Sequence, residues 1–355
     1  MINLDSREEI AKIDMQNVLG SIEALPDQCL DAWHDANQVN LPENYKHYSK
    51  VVLCGMGGSG LGGRVIESVY GGILKVPLVR VNDYHLPTFT DEDTLVVCSS
   101  YSGKTEETIN NMNEAIKKKA KWMAIGTGGQ LIETAKKENV PFYQINPKYN
   151  PSNQPRMAIG YSIIGQLVLV AKAGLINLTE LEINSLVESM KVIIQRNAPE
   201  VKDNNLAKDL ALKIQNKIII LIASSHLVGA LHTFNNQLNE NAKTLSLDFQ
   251  IPELNHHLME GLKFPKENNK NIFLFIINSD LYSDQIKKRI KITKDIYEKN
   301  GIGTFEFNLK ADNKLSQSFE LIQFGAFVNF YLAMLYGIDP APIPWVDYFK
   351  AEMAK

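Results

Sequence analysis

A chain of 355 residues is long enough for about two domains, each with its own core, so one small domain is excluded. At 45% hydrophobic and 22% charged, with a formal net charge of -3, it has an ordinary globular composition and no basic field for a polyanion. The cysteines Cys29, Cys54 and Cys98 are odd in number and far apart, which suits reduced thiols in a reducing compartment rather than a disulfide framework.

The opening MINLDSREEIAKIDMQ is charged and amphipathic, without the apolar core of a signal segment, and no run is expected to reach the length of a membrane span. The expectation is a cytoplasmic enzyme that binds neither nucleic acid nor membrane. Residues 5–40 carry helical spacing behind Asp5 and Ser6, within a helical lead-in of residues 1–48.

From Lys50 the pattern changes. Short apolar runs at 51–55, 77–81, 94–98, 122–126 and 141–145 alternate with helical stretches, which predicts a parallel sheet flanked by helices over residues 49–153. The proline-dotted NPKYNPSNQPR (146–156) leads into an apolar helix over 157–173, and residues 154–200 read as connecting helices. Alternation restarts with strands at 217–224, 271–278 and 303–308 in a second domain of residues 201–355. The turns after the first strand of each half, GMGGSGLGGRVIESV and SSHLVGALHTFNNQL, suggest two related domains. A last helix over 319–336 is stopped by Gly337 and DPAPIP (339–344), leaving a short tail.

Two loops carry chemistry. CGMGGSGLGG contains Gly55-x-Gly57-x-x-Gly60 between a strand and a helix, with Asp83 near the end of the next strand, formally a dinucleotide fingerprint. Glycines that bring backbone N–H groups to a helix start also serve other anions, so a nicotinamide dehydrogenase ranks behind a simpler anion site. CSSYSGKTEETI (98–109) decides between them. It ends like a P-loop, but Cys98 stands where that motif needs glycine and the loop is too short. Ser99, Ser100, Ser102 and Thr105 instead set hydroxyls beside unpaired N–H groups at a positive helix end, a fit for one phosphate monoester. A capping box with Ser102 as N-cap is the structural reading, and it uses fewer hydroxyls than are present.

YSGKTEET closely resembles the SGNTEET signature of sugar isomerase (SIS) domains, and its pairing with GMGGSG resembles the bifunctional phosphoglucose/phosphomannose isomerase family. QPRMAIGY (154–161), QLNENAK (237–243), PELNH (252–256) and YLAMLYGIDPAPIPWVDYFK (331–350) are similar to that family's other blocks, so the resemblance runs through nearly the whole chain in order. It implies an α/β fold of two SIS-like domains, each a parallel sheet flanked by helices, and aldose–ketose isomerisation of a hexose 6-phosphate without cofactor. It further implies phosphate binding by Ser100, Ser102 and Thr105, with Gly57 and Ser59 flanking the sugar. The same resemblance gives Glu240 as catalytic base, His256 and Lys350 as ring-opening groups and Arg156 as the group that steadies the intermediate. A homodimer is implied, with His256 reaching the other copy's site.

The residue types suit that chemistry. Moving a carbonyl between C1 and C2 needs a carboxylate base to carry one proton between neighbouring carbons. A guanidinium stabilises the enediolate without exchanging protons, and histidine can shuttle a proton during ring opening near neutral pH. Adjacent His256 and His257 point to different sides of any regular element, and no HExxH or carboxylate cluster accompanies them, so no metal is expected. His226 and His232 read as helix-face or cleft residues of the second domain. Two departures stand out: Lys104 replaces a usual asparagine, and His257-Leu258-Met259 replaces Asn-Glu-Ile after the NH pair. The alternatives are a non-catalytic sugar-phosphate-binding SIS protein, which residues 1–48 disfavour as a DNA-binding arm because they are acidic, or an isomerase of another sugar phosphate.

Overall fold

The computed structural model describes residues 2–353 and 355. Among the described residues nine strands form two parallel sheets. The first contains β1 (Lys50–Cys54), β2 (Leu78–Val81), β3 (Thr94–Ser99), β4 (Lys121–Gly126) and β5 (Phe142–Gln144) in the order β2-β1-β3-β4-β5. The second contains β6 (Ile218–Ser224), β7 (Ser246–Ile251), β8 (Ile272–Asn278) and β9 (Gly303–Asn308) in the order β7-β6-β8-β9. Every strand pair is parallel. This is the expected α/β architecture, two parallel sheets with helices on their faces.

The central strands are near-continuous apolar runs because both faces are covered. β3 is buried throughout, and Val51, Leu53, Leu95 and Val97 face one core while Val52, Cys54, Val96 and Cys98 face a second. The larger core continues into the second sheet through Leu221, Phe275 and Ile277. Helices Leu61–Tyr70 and Ile159–Lys172 pack on the first sheet and Val228–Glu240 and Lys314–Leu335 on the second, and the four pack on one another, with Glu180–Asn197 against the last of them. Cys29, Cys54 and Cys98 are buried and none forms a disulfide.

Four sequence expectations need correction, and a fifth, the helical lead-in, gains detail. β7 was not expected: it is an edge strand whose SLDFQI mixes buried and open positions, so it lacks the apolar run that marks β6 and β8. The lead-in is three helices, Arg7–Ala11, Val18–Glu23 and Leu25–Asn37, because Asn17 takes the left-handed conformation and caps the second. The last core helix starts at Lys314, capped by Asn313, one and a half turns earlier than the apolar spacing suggests. That helix, at mean hydropathy 1.3, is also long and apolar enough to span a membrane, contrary to expectation, yet 94% of its apolar window is buried inside the fold. The proline-rich ending does not leave a tail, since Pro344 opens the helix Pro344–Met353, none of which is buried.

Candidate active site

In each sheet the chain leaves the first strand toward one side and returns for its third strand on the other. Loops after β1 and β3 therefore emerge side by side at the strands' carboxyl ends, where α/β sheets bind ligands. Both chemical motifs lie there. After β1, Gly57 has φ +49 and opens the turn Gly57–Gly60, and a Cβ on it would meet nothing within 4 Å. Glycine is there for its backbone conformation, and the space beside it is free. Ser59 Oγ accepts from the Tyr101 N–H at 2.9 Å, tying the glycine turn to the serine loop.

In the serine loop Ser100 is fully buried, its Oγ 2.8 Å from Thr105 Oγ1, and the Thr105 N–H donates to Ser100 Oγ at 3.4 Å. Gly103, at φ +65, packs so closely that a Cβ would lie 1.8 Å from the Gly128 carbonyl oxygen. This turn makes Thr105, not Ser102, the N-cap of the Glu106–Lys117 helix, which corrects the capping-box reading. The Thr105 hydroxyl faces Ser100 and does not cap, leaving the first helical N–H groups and the positive helix end for an anion. Ser102 and Lys104 are exposed at its rim, where Ser102 Oγ accepts from the Lys104 N–H at 3.3 Å.

The base is brought in from the second half of the chain. The Leu61–Tyr70 and Val228–Glu240 helices cross closely, and a Cβ on Gly229 would lie 2.6 Å from the Arg64 carbonyl oxygen. The end of the second helix thereby delivers Glu240 to a narrow crevice lined also by Gly58, Leu61, Arg156, Ile159, Thr233, Asn236 and Gln237. Burial raises the pKa of half-buried Glu240 above its ordinary value, against the charges of Arg156, Lys350 and Lys243.

Arg156 is 8% exposed and held from three directions. Its Nε donates to Asn241 Oδ1 at 2.6 Å, Nη1 to Gln154 Oε1 at 3.0 Å, and Nη2 to the carbonyls of Pro340, at 2.9 Å, and Ala341. Burial lowers its proton affinity while Glu240, Asp347 and Asp339 raise it.

Lys350 is exposed on the terminal helix and reaches Glu240 through its charge, not through contact. His256 is exposed at the end of the turn Glu253–His256 after β7 and does not line the crevice, so one chain does not bring it to Glu240. Asp83 turns its carboxylate onto the Tyr84 N–H at 2.6 Å and is exposed.

The second sheet's equivalent loop is filled by its own side chains. His226, 2% exposed, pairs with Gln317 at 2.9 Å and its ring lies 5.5 Å from that of Tyr282, so it is a core residue rather than a cleft one. His232 lies 3.2 Å from an Asp248 oxygen. Among the described residues no group of three or more His, Cys, Asp or Glu is arranged to hold a metal ion.

Residue reasoning missed Lys243, Gln237, Asn241 and Asn329. Lys243 Nζ donates to the carbonyls of Glu240, Asn241 and Pro340 at 2.9, 3.3 and 2.8 Å, and burial with the Arg156 charge pulls it down to about 8. Three of the four lie inside QLNENAK, but Asn329 comes from the central helix with no local signal.

Two sheets joined by a shared helical layer, with a serine/threonine loop and glycine turn at the first sheet's switch point, define a two-domain SIS protein. Residues 203–353 match the family described as bacterial phospho-glucose isomerase C-terminal SIS domain. A bifunctional phosphoglucose/phosphomannose isomerase of Caldicellulosiruptor bescii is 34% identical over 94% of this chain and 98% of that protein. One from Aquifex aeolicus is 30% identical over 87% and 91%. A hypothetical protein of Thermus thermophilus has the same fold, with a TM-score of 0.72 at 16% identity over 95% of this chain and 89% of that one. The chain belongs to the bifunctional phosphoglucose/phosphomannose isomerase family.

Proposed function

We propose that this protein interconverts fructose 6-phosphate with glucose 6-phosphate, mannose 6-phosphate or both. The observation that carries this reading is one crevice holding Glu240, its proton affinity raised by burial, against the buried donor Arg156. Glu240 removes the proton from C2 of the open-chain aldose, the electron pair becomes the C1–C2 double bond, and the carbonyl oxygen takes the charge. The hydroxyl proton on O2 passes to O1, the electron pair left on O2 forms the C2 carbonyl, and the same carboxyl returns the carbon-bound proton to C1. Arg156 steadies the enediolate without giving up a proton of its own.

Ser100, Ser102, Thr105 and the helix N–H groups bind the phosphate, and Gly57 and Ser59 flank the sugar. Lys350 assists ring opening from the terminal helix. His256 serves the crevice of a second copy in a homodimer, a role supported by its exposure outside its own. The working units are SIS domains at 49–153 and 201–355 joined by helices of 154–200, acting in cytoplasmic carbohydrate metabolism. Every step uses protein groups, and none calls for a cofactor.

The test is incubation of purified protein with fructose 6-phosphate in EDTA, followed by carbon NMR. Glucose or mannose 6-phosphate should accumulate, and folded protein that makes neither overturns the assignment.

A further inference from the structure

A chain of buried amides runs from the guanidinium of Arg156 to the crevice. Arg156 Nε donates to Asn241 Oδ1 at 2.6 Å, Asn241 Nδ2 to Asn329 Oδ1 at 3.0 Å, and Asn329 Nδ2 to Gln237 Oε1 at 3.3 Å. Asn241 and Asn329 are fully buried and Gln237 is 4% exposed. Guanidinium has donors only, so Asn241 must present its oxygen to it, and each later amide is oriented in turn. Asn329 is pinned a second time, because Nδ2 also donates to the Gly325 carbonyl at 2.6 Å. The last amide has one orientation left: Gln237 gives its oxygen to Asn329, and its Nε2 is buried without a partner in the protein. Gln237 lines the crevice one helical turn before Glu240, on the same face of the helix. Buried amide donors are almost always bonded, so a donor fixed beside the base and left unmatched points to the substrate.

We propose that Gln237 is a further catalytic residue, whose Nε2 donates to the substrate oxygen that gains negative charge as Glu240 removes a proton from the adjacent carbon. Asn241 and Asn329 are positioning residues that hold this amide in its donor orientation. The proposal rests on the isomerase reading. Proton bookkeeping is unchanged: Glu240 carries the proton, and Gln237 supplies a hydrogen bond that strengthens as the carbonyl oxygen becomes an enediolate oxygen.

The test is steady-state kinetics of Gln237→Leu with fructose 6-phosphate, with calorimetric binding of sorbitol 6-phosphate, which has no carbonyl. Loss of one such donor should lower kcat about 10²–10³-fold. KM and the sorbitol 6-phosphate Kd should stay within about threefold, because the bond is made mainly in the transition state. Gln237→Met, of similar length, repeats the test if the leucine variant folds poorly. Asn329→Asp still accepts from Asn241 but turns an acceptor toward Gln237, so that amide reverses and kcat falls to the same extent. Combining it with Gln237→Leu should then add little further loss.

A Gln237→Leu enzyme with kcat within threefold of wild type overturns the proposal while the isomerase reading stands. Asn329→Asp that lowers only thermal stability removes the positioning roles. Wild-type protein without turnover overturns both readings at once.

Discussion

Arg156 and Lys243 donate to the same acceptor, the carbonyl oxygen of Pro340, at 2.9 and 2.8 Å. Lys243 also donates to the Glu240 carbonyl at 2.9 Å, where the base's helix ends. The segment that leads into the terminal helix, and so to Lys350, is thereby fastened to the groups around the base. Lys243→Met should loosen both ends. We expect kcat/KM to fall about tenfold, the equivalent of roughly 1.4 kcal/mol, with a lower melting temperature by calorimetry. An unchanged kcat/KM would mean that Pro340 is held well enough by Arg156 alone.

Burial raises Glu240's pKa and the charges of Arg156, Lys350 and Lys243 pull it back. A base works ionised, so kcat/KM should rise with pH through this raised value, with its acid limb above the ordinary 4.5 of a glutamate. Removing a positive neighbour favours the protonated form, so Lys350→Met should move the limb to higher pH. A limb that moves down, measured across pH 4 to 8 as a broad working range, would show that another group sets it.

The phosphate loop should answer in KM. Thr105→Val keeps the shape and removes the hydroxyl that faces Ser100. Losing a hydrogen bond to a charged group costs about 1.5–3 kcal/mol, so KM for fructose 6-phosphate should rise about 10- to 100-fold with a smaller change in kcat. Inorganic phosphate should lose its competitive inhibition in parallel.

Gly103 cannot accept a side chain without moving its neighbour, since a Cβ would lie 1.8 Å from the Gly128 oxygen and φ is +65. Gly103→Ala should destabilise the protein by at least about 1–3 kcal/mol and displace the Ser100–Thr105 pair. Thermal melting and phosphate inhibition measure the two effects separately.

On the proposed homodimer, in which His256 serves the partner's crevice, Glu240→Gln and His256→Ala proteins, each strongly impaired alone, should complement when unfolded together and refolded. Random pairing of two copies gives half heterodimers, each with one intact site, so about a quarter of wild-type activity should return. No recovery in refolded, dimeric protein would remove His256 from the partner's site.

How far the sequence could be read followed from what is local. β1, β3, β6 and β8 were legible because strands covered on both faces are uninterrupted apolar runs. β7 was not, since Leu247 is 44% exposed on an edge and its neighbours alternate with polar residues. Pro344 reads as a helix breaker until it is seen to open a helix. In the site, Glu240 and Arg156 were reached through the blocks around them. The bonds that orient them were not, because they close over long stretches of chain: Asn241 to Asn329 spans 88 positions and Arg156 to Pro340 spans 184. Those pairs arise from the crossing of the central helices, which no short window of sequence contains.

The most direct measurement is proton NMR of the aldose 6-phosphate formed from fructose 6-phosphate in D₂O with EDTA, using wild-type protein and Glu240→Gln side by side. Proton transfer by Glu240 puts at C2 of the wild-type product either the proton taken from C1 or deuterium that the carboxyl has exchanged with solvent, so deuterium at C2 should appear and rise with repeated turnover. In the variant, turnover should fall by about 10²–10⁴-fold or more. Product formed at an undiminished rate by Glu240→Gln, or no product and no exchange from folded wild-type protein, would contradict it.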